Sequence, residues 1–329
     1  MATFQKQIKR IGIFTSGGDA PGMNASLRAS VRTARARGLE VWGIERGYLG
    51  MIDNQMRPLE ARDMANIIQR GGTILKTGRA TDFLKADVRK KAAENLALNQ
   101  IDALVCVGGD GSFRGAMDLW REHQIPIVGT PGTIDNDLFG TDLTIGFDTA
   151  VNTALEATDK IRDTADSHDR LFIVEVMGRN SGHIAAYVGL ACGAEEVFTP
   201  EINTTVDKAV DKILDAQKKG KRSSIIITAE GQKPGRAYDL AEAIRKKTGL
   251  DAKVCILGHI QRGGSPTATD RIIASRMGSA AVDALLAGQC DIMIGIEKNE
   301  IVQVPFELAT QREKKSSLDY VKLSNLLAI

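Results

Sequence analysis

The chain has 329 residues, of which 43% are hydrophobic and 26% charged, with a formal net charge of +2. That length points to two domains rather than one. The near-balanced charge leaves no footprint for nucleic acid or an anionic membrane surface, and no apolar run approaches the roughly 20 residues that cross a bilayer. The polar, basic N-terminal stretch contains no apolar signal segment, so a cytoplasmic location is expected. Cys106, Cys192, Cys255 and Cys290 are scattered with no CxxC pair, and they read as reduced, buried thiols rather than metal ligands or disulfides.

In chain order, Ile8–Phe14 reads as a strand that turns at Ser16-Gly17-Gly18. A helix follows from about Asn24 and stops at Gly38, and Leu39–Ile44 is the next strand. The apolar run Ala103–Val107 is too short for a helix and suits a central parallel strand covered on both faces. The pattern recurs at Ile125–Gly129, Leu171–Val176, Ser224–Thr228 and Val254–Leu257. Helical stretches lie between these runs, such as Val206–Lys218 with Thr204 or Thr205 as its cap. The region Asp291–Val304 reads as a hairpin turning at Glu297–Asn299. This alternation predicts two α/β domains with mainly parallel sheets sandwiched by helices. The boundary is expected near Phe147, where a loop dense in glycine and aspartate gives way to the helix Thr149–Asp163.

Four glycine-rich loops follow predicted strands. Val107-Gly108-Gly109-Asp110-Gly111-Ser112 precedes a helix expected over Phe113–His123. Glycines at such a junction let backbone amides approach phosphate oxygens, and the helix N-terminus adds partial positive charge. An aspartate inside a phosphate cradle needs a cation between them, so Asp110 is a candidate Mg²⁺ anchor. A tight turn capped by the aspartate is the competing reading. The segment is neither a P-loop nor a GxGxxG fingerprint, since Arg114 stands where the third glycine belongs. Gly129-Thr130-Pro131-Gly132-Thr133-Ile134-Asp135-Asn136-Asp137 places two carboxylates two residues apart after another strand, which suits a base near an attacking hydroxyl; an acidic capping loop is the alternative. Ser16–Gly22 is a further phosphate-friendly turn before a helix. In Gly258–Gly264, His259 and Arg262 can both face one anion. A nucleotide together with a phosphorylated second ligand accounts for all four loops.

Read in order, TSGGDAPGMN from Thr15, RGGT from Arg70, GGDGS from Gly108, PGTIDND from Pro131, TIGFDTA from Thr144, VEVMGR from Val174 and LGHIQRGGSP from Leu257 resemble the phosphofructokinase family, and closely its bacterial ATP-dependent members. The resemblance implies two three-layer α/β domains with the active site in the cleft between them. Residues 1–146 with about 261–312 would bind ATP, and residues 147–260 with 313–329 the sugar phosphate. Gly18, Tyr48, Arg79, Ala80, Gly109, Asp110, Gly111, Ser112 and Gly115 would hold ATP, with Mg²⁺ on Asp110 and Arg79 also serving catalysis. Asp135 would be the general base for the 1-hydroxyl of fructose 6-phosphate, flanked by Thr133 and Ile134 and supported by Asp137. Met177, Gly178 and Arg179 would contact the reacting region and Glu230 a sugar hydroxyl. Lys253, His259, Ile260, Gln261 and Arg262 would hold the sugar phosphate, joined by Arg170 from a neighbouring subunit of a homotetramer. An effector anion, ADP or phosphoenolpyruvate, would sit on Arg28, Arg32, Arg162, Glu195, Lys219 and Lys221.

Pyrophosphate-dependent relatives commonly carry an aspartate where this chain has Gly111 and a lysine where it has Gly132. Two glycines leave room for the α-phosphate and adenosine, so ATP is the expected donor and pyrophosphate the alternative. Lys253 stands where the bacterial enzymes usually place an arginine, which keeps the charge and loses the bidentate grip. His183, in a segment that diverges after Arg179, reads as a helix-surface residue. A catalytically silent sensor on the same scaffold would be expected to lack Asp110 or Asp135, and both are present.

Overall fold

The computed structural model describes residues 2–202, 204–220, 223–231, 234–314 and 318–328. They fall into two units, the first comprising Met1–Ile134, Leu138–Asp148 and Arg262–Lys314, the second Asp135–Asp137, Thr149–Gln261 and Lys315–Ile329.

The first unit is built on a seven-stranded sheet in the order Glu300–Pro305, Ile292–Glu297, Ile127–Pro131, Ala103–Gly108, Arg10–Thr15, Glu40–Ile44 and Met56–Pro58. Neighbouring strands are parallel except at the two edges. The apolar runs form central strands because both of their faces are covered. Phe14, Ile44, Leu104, Cys106 and Met293 point to one side and pack with Met51, Leu96, Phe113 and Phe306. Their alternates Ile11, Ile13, Val105 and Val107 are equally buried on the other side, where the helices Met23–Ala36 and Ala268–Leu286 lie against each other. The expected hairpin forms between Ile292–Glu297 and Glu300–Pro305. Both turn residues, Lys298 and Asn299, adopt positive φ, which matches the twist of the flanking strands.

The second unit carries four parallel strands in the order Ala252–Ile256, Leu171–Val176, Ser224–Ala229 and Glu196–Phe198. Leu171, Ile173 and Ile226 bury against Val210, Ile213, Leu240 and Ile244 of the helices Val206–Lys218 and Arg236–Thr248. Thr205 is the cap of the first of these, its hydroxyl accepting from the Lys208 amide.

Three sequence readings need correction. The helix expected from Phe113 begins at Asp110, with Gly109 as its N-cap, because an acidic side chain is favoured in a first turn. His183 is not a surface residue. It opens the helix His183–Cys192 at 4% exposure, since that helix is apolar nearly all round and has no solvated face there. Of the four cysteines, all free, only Cys106 and Cys290 are fully buried; Cys192 and Cys255 are half-buried. Burial raises the pKa of all four thiols, which keeps them unreactive. Among the described residues no helix is long and apolar enough to cross a membrane.

Candidate active site

In the first sheet, Arg10–Thr15 is flanked by the strand that follows it, Glu40–Ile44, and by Ala103–Gly108 on the other side. The connections therefore depart in opposite directions from the carboxyl ends of Arg10–Thr15 and Ala103–Gly108, and ligands of open α/β sheets bind outside such a switch point. The glycine loops emerge there. Ser16 N donates to Val107 O at 3.0 Å. A Cβ on Gly17 would lie 3.4 Å from Ser112 Oγ, and one on Gly108 only 2.9 Å from Ser16 O. The two loops touch through backbone, and glycine is the residue that permits the approach.

The RGGT segment is drawn in beside them. Asn24 Oδ1 accepts from Ile74 N at 2.8 Å and its Nδ2 donates to Arg70 O at 3.0 Å. Thr15 Oγ1 donates to Lys76 O at 2.6 Å, and Thr77 Oγ1 to Gly17 O at 2.7 Å. Arg79 and Ala80 follow directly, Arg79 exposed.

Arg262 also belongs to this unit. Its Nη1 donates to Asp19 O at 3.2 Å, and a Cβ on Gly18 would come within 2.6 Å of the same atom. A cationic guanidinium thus lies over the first glycine loop. Tyr48 is placed differently from a ligand contact. It is 5% exposed, stacked on Phe83 at 4.0 Å between centroids, and its hydroxyl donates to Ser112 O at 2.5 Å. Burial raises that hydroxyl well above the usual tyrosine range. Gly115 packs against the Tyr48 ring, where a Cβ would be 3.1 Å away. Both residues support the loop from beneath.

Asp110 projects from the first helical turn with its side chain 43% exposed. Both carboxylate oxygens accept from Arg114 Nε at 3.0 Å, while Arg114 Nη2 donates to Thr310 O at 2.8 Å. Among the described residues no group of three metal-ligating side chains exists. A single accessible carboxylate beside an amide-rich loop, paired with the exposed Arg114, fits Mg²⁺, which retains water and takes phosphate oxygens as its other ligands.

Thr133 lies beyond the strand Ile127–Pro131, and its carbonyl accepts from Thr144 Oγ1 at 2.6 Å. Past the buried Ile134 the chain enters the second unit at Asp135. Asp135 is buried and Asp137 exposed, with Asn136 between them at φ 51°. That left-handed residue re-aims the chain between the two carboxylates. Ser181 Oγ donates to Asp135 O at 2.9 Å.

The second sheet places the remaining residues at its own carboxyl edge. Met177, Gly178 and Arg179 follow Leu171–Val176, Glu230 follows Ser224–Ala229, and His259 follows Ala252–Ile256. Arg179 N donates to Glu230 Oε1 at 3.2 Å. Arg170, Arg179 and His259 are exposed, as is Ile260. Lys253 is exposed and paired with Asp251 at 2.7 Å, an arrangement the motif did not signal.

The expected effector residues fall in both units, and three of them have local partners. Arg28 and Arg32 are on the helix Met23–Ala36 of the first unit. In the second unit Arg162 donates to Cys192 O, the 3%-exposed Glu195 accepts from Ile225 N, and Lys219 pairs with Asp215 at 2.9 Å. Lys221 lies outside the described residues.

The phosphofructokinase family model matches residues 10–285. The chain is similar to ATP-dependent 6-phosphofructokinase 1 of Thermus thermophilus, 58% identical over 324 residues that cover 98% of this chain and 100% of that protein. It is 50% identical to ATP-dependent 6-phosphofructokinase of Halalkalibacterium halodurans, covering 98% and 100%. Among solved structures it is similar to phosphofructokinase from Saccharomyces cerevisiae, with a TM-score of 0.86 and 37% identity, covering 98% of this chain and 48% of that one. A pyrophosphate-dependent phosphofructokinase from Marinobacter aquaeolei follows at TM-score 0.84 and 26% identity, covering 97% and 88%. Sequence, fold and loop architecture lead to one conclusion: the chain belongs to the phosphofructokinase family.

Proposed function

We propose that the chain transfers the γ-phosphoryl group of ATP to the 1-hydroxyl of fructose 6-phosphate, giving fructose 1,6-bisphosphate and ADP. This is the committed step of glycolysis. The observation that carries the reading is the gathering of Gly17–Asp19, Thr77, Gly108–Ser112 and Arg262 at one sheet edge, with Thr133 leading directly into Asp135–Asp137. Loop amides and a helix N-terminus make a phosphate cradle, and the guanidinium beside it suits a second phosphate. The curated relatives that resemble this chain at 50–58% identity are named as ATP-dependent enzymes, whereas the pyrophosphate-dependent neighbour stands at 26%.

Phosphoryl transfer asks little covalent chemistry of a protein and much positioning and charge neutralisation. Gly109, Asp110, Gly111 and Ser112 would hold the nucleotide phosphates, with Asp110 orienting Mg²⁺ through water. Bound there, the cation would supply charge neutralisation to the nucleotide phosphates. Asp135 would accept the proton of the 1-hydroxyl as the oxygen attacks in line. Asp137 and Thr133 would keep that carboxylate oriented, and Arg79 and Arg179 would offset the charge of the transferring group. His259, Arg262 and Lys253 would take the 6-phosphate. Arg170 would act from a neighbouring subunit of a cytoplasmic homotetramer. ADP or phosphoenolpyruvate would be the effector anion of Arg28, Arg32, Arg162, Glu195, Lys219 and Lys221.

A steady-state assay varying fructose 6-phosphate, with ATP or pyrophosphate as donor and with or without ADP, tests the reading directly. Activity with pyrophosphate alone would overturn the donor. For the mechanism, Asp135→Ala is expected to lower kcat by about 10²–10⁴-fold with little change in ATP affinity. Near-normal turnover would remove Asp135 as the base.

A further inference from the structure

Gln261 belongs to the short 3₁₀ helix Gly258–Arg262, whose residues face in quite different directions. His259 is exposed and Ile260 is 58% exposed, while Gln261 is 0% exposed. A side chain with no accessible surface does not reach a ligand. Its amide is nonetheless fully oriented: Oε1 accepts from Met177 N at 2.8 Å and Nε2 donates to Ala150 O at 3.3 Å. The two partners dictate which end is oxygen, since an N–H needs an acceptor and a carbonyl needs a donor.

Met177 opens a strained turn. Gly178 sits at φ 139°, where a Cβ would meet Ser181 O at 2.3 Å, and Arg179 occupies the left-handed region at φ 51°. A non-glycine residue in that region persists where its surroundings over-determine it. Here the Met177 amide is held by Gln261, the Arg179 amide by Glu230, and Ser181 N closes the turn onto Gly178 O at 2.8 Å.

We infer that Gln261 is a positioning residue for sugar-phosphate recognition: it acts from the core through the Met177 amide and presets the Met177–Arg179 turn before substrate arrives. The inference rests on the reading that this turn meets fructose 6-phosphate. Gln261 is thereby separated from His259 and Ile260, its exposed neighbours in the same motif.

The test is fructose 6-phosphate binding by calorimetry, together with steady-state kinetics, on Gln261→Met and Gln261→Glu. Methionine matches the shape and removes both hydrogen bonds. Glutamate keeps the acceptor for Met177 N and removes the donor to Ala150 O. Gln261→Met is expected to weaken fructose 6-phosphate binding by about tenfold, the worth of one or two buried hydrogen bonds, with KM for ATP within about twofold of the parent. Gln261→Glu should recover part of that loss. Unchanged fructose 6-phosphate affinity in a folded Gln261→Met protein overturns the inference, as does an equal loss for both ligands. Hydrogen exchange on the parent covers variants that fail to fold: the Met177 amide should be strongly protected, and rapid exchange there sinks the proposal. A parent that does not bind fructose 6-phosphate refutes the underlying reading instead.

Discussion

Gly111 and Gly132 look alike in the sequence and differ in space. Around a Cβ built on Gly111 there is nothing within 4 Å, so the position opens onto the region where a nucleotide would lie. A Cβ on Gly132 would meet Met23 Cε at 2.9 Å, Val107 Cγ1 at 3.0 Å and the Gly108 amide at 3.3 Å, and Gly132 N donates to Gly108 O at 2.9 Å. The room at Gly132 is already taken by the fold's own packing. Gly111 alone therefore carries the steric argument for ATP. Gly111→Asp is expected to raise KM for ATP at least tenfold while stability stays within about 0.5 kcal/mol. Gly132→Ala should lower unfolding stability by about 1–2 kcal/mol through overpacking. Urea unfolding and ATP titration on the same pair of variants check both outcomes.

At the scale of elements, capping by distant side chains fixes the geometry that local signals leave open. Glu175 lies next to the carboxyl end of the buried strand Leu171–Val176 at 1% exposure, an unfavourable place for a carboxylate. Its oxygens accept from Gly235 N and Ala237 N, each at 2.8 Å. Those amides open the helix Arg236–Thr248, whose own N-cap, Gly235, has no side chain to offer. The strand residue caps the helix, and the helix N-terminus offsets the buried charge. An amide has only one oxygen for two donors, so Glu175→Gln should cost about 1–3 kcal/mol, read as a lower urea midpoint. A midpoint equal to the parent's would show that the cap contributes nothing.

For the whole molecule, a net charge of +2 leaves stability dependent on individual groups rather than on global repulsion. Asp291 is one such group. It joins the strands through backbone, its N–H donating to Ile127 O at 2.8 Å and its carbonyl accepting from Phe306 N at 3.0 Å. Its buried Oδ1 has no partner among the described residues, and burial raises the carboxyl from an ordinary 3.8 to about 6, with Arg121 opposing. The folded state holds this proton more tightly than the unfolded chain. Its contribution is therefore complete below about pH 4, falls as pH rises to about 6, and is level above that. Asn tolerates the left-handed φ of 58° at this position. Asp291→Asn should match the parent near pH 4 and exceed it by about 1–2 kcal/mol at pH 7, after allowance for solvent screening. A difference independent of pH would remove Asp291 as the cause.

Period and composition alone were enough for the central strands at Ala103, Leu171 and Ser224, for the hairpin near Glu297, and for four loops at strand ends, because short apolar runs and glycine punctuation are local signals. The same residues, matched in order, carried the family. Local signals could not tell that His183 and Gln261 face inward, since each depends on what packs alongside. Two carboxylates in Asp135–Asp137 were visible as a pair, while their different burial came only from the fold. Sequence thus determined which chemistry the chain can hold. Tertiary structure decided which of those side chains face a ligand and which hold the others in place, because burial and hydrogen-bond partnership are set by residues far apart in the chain.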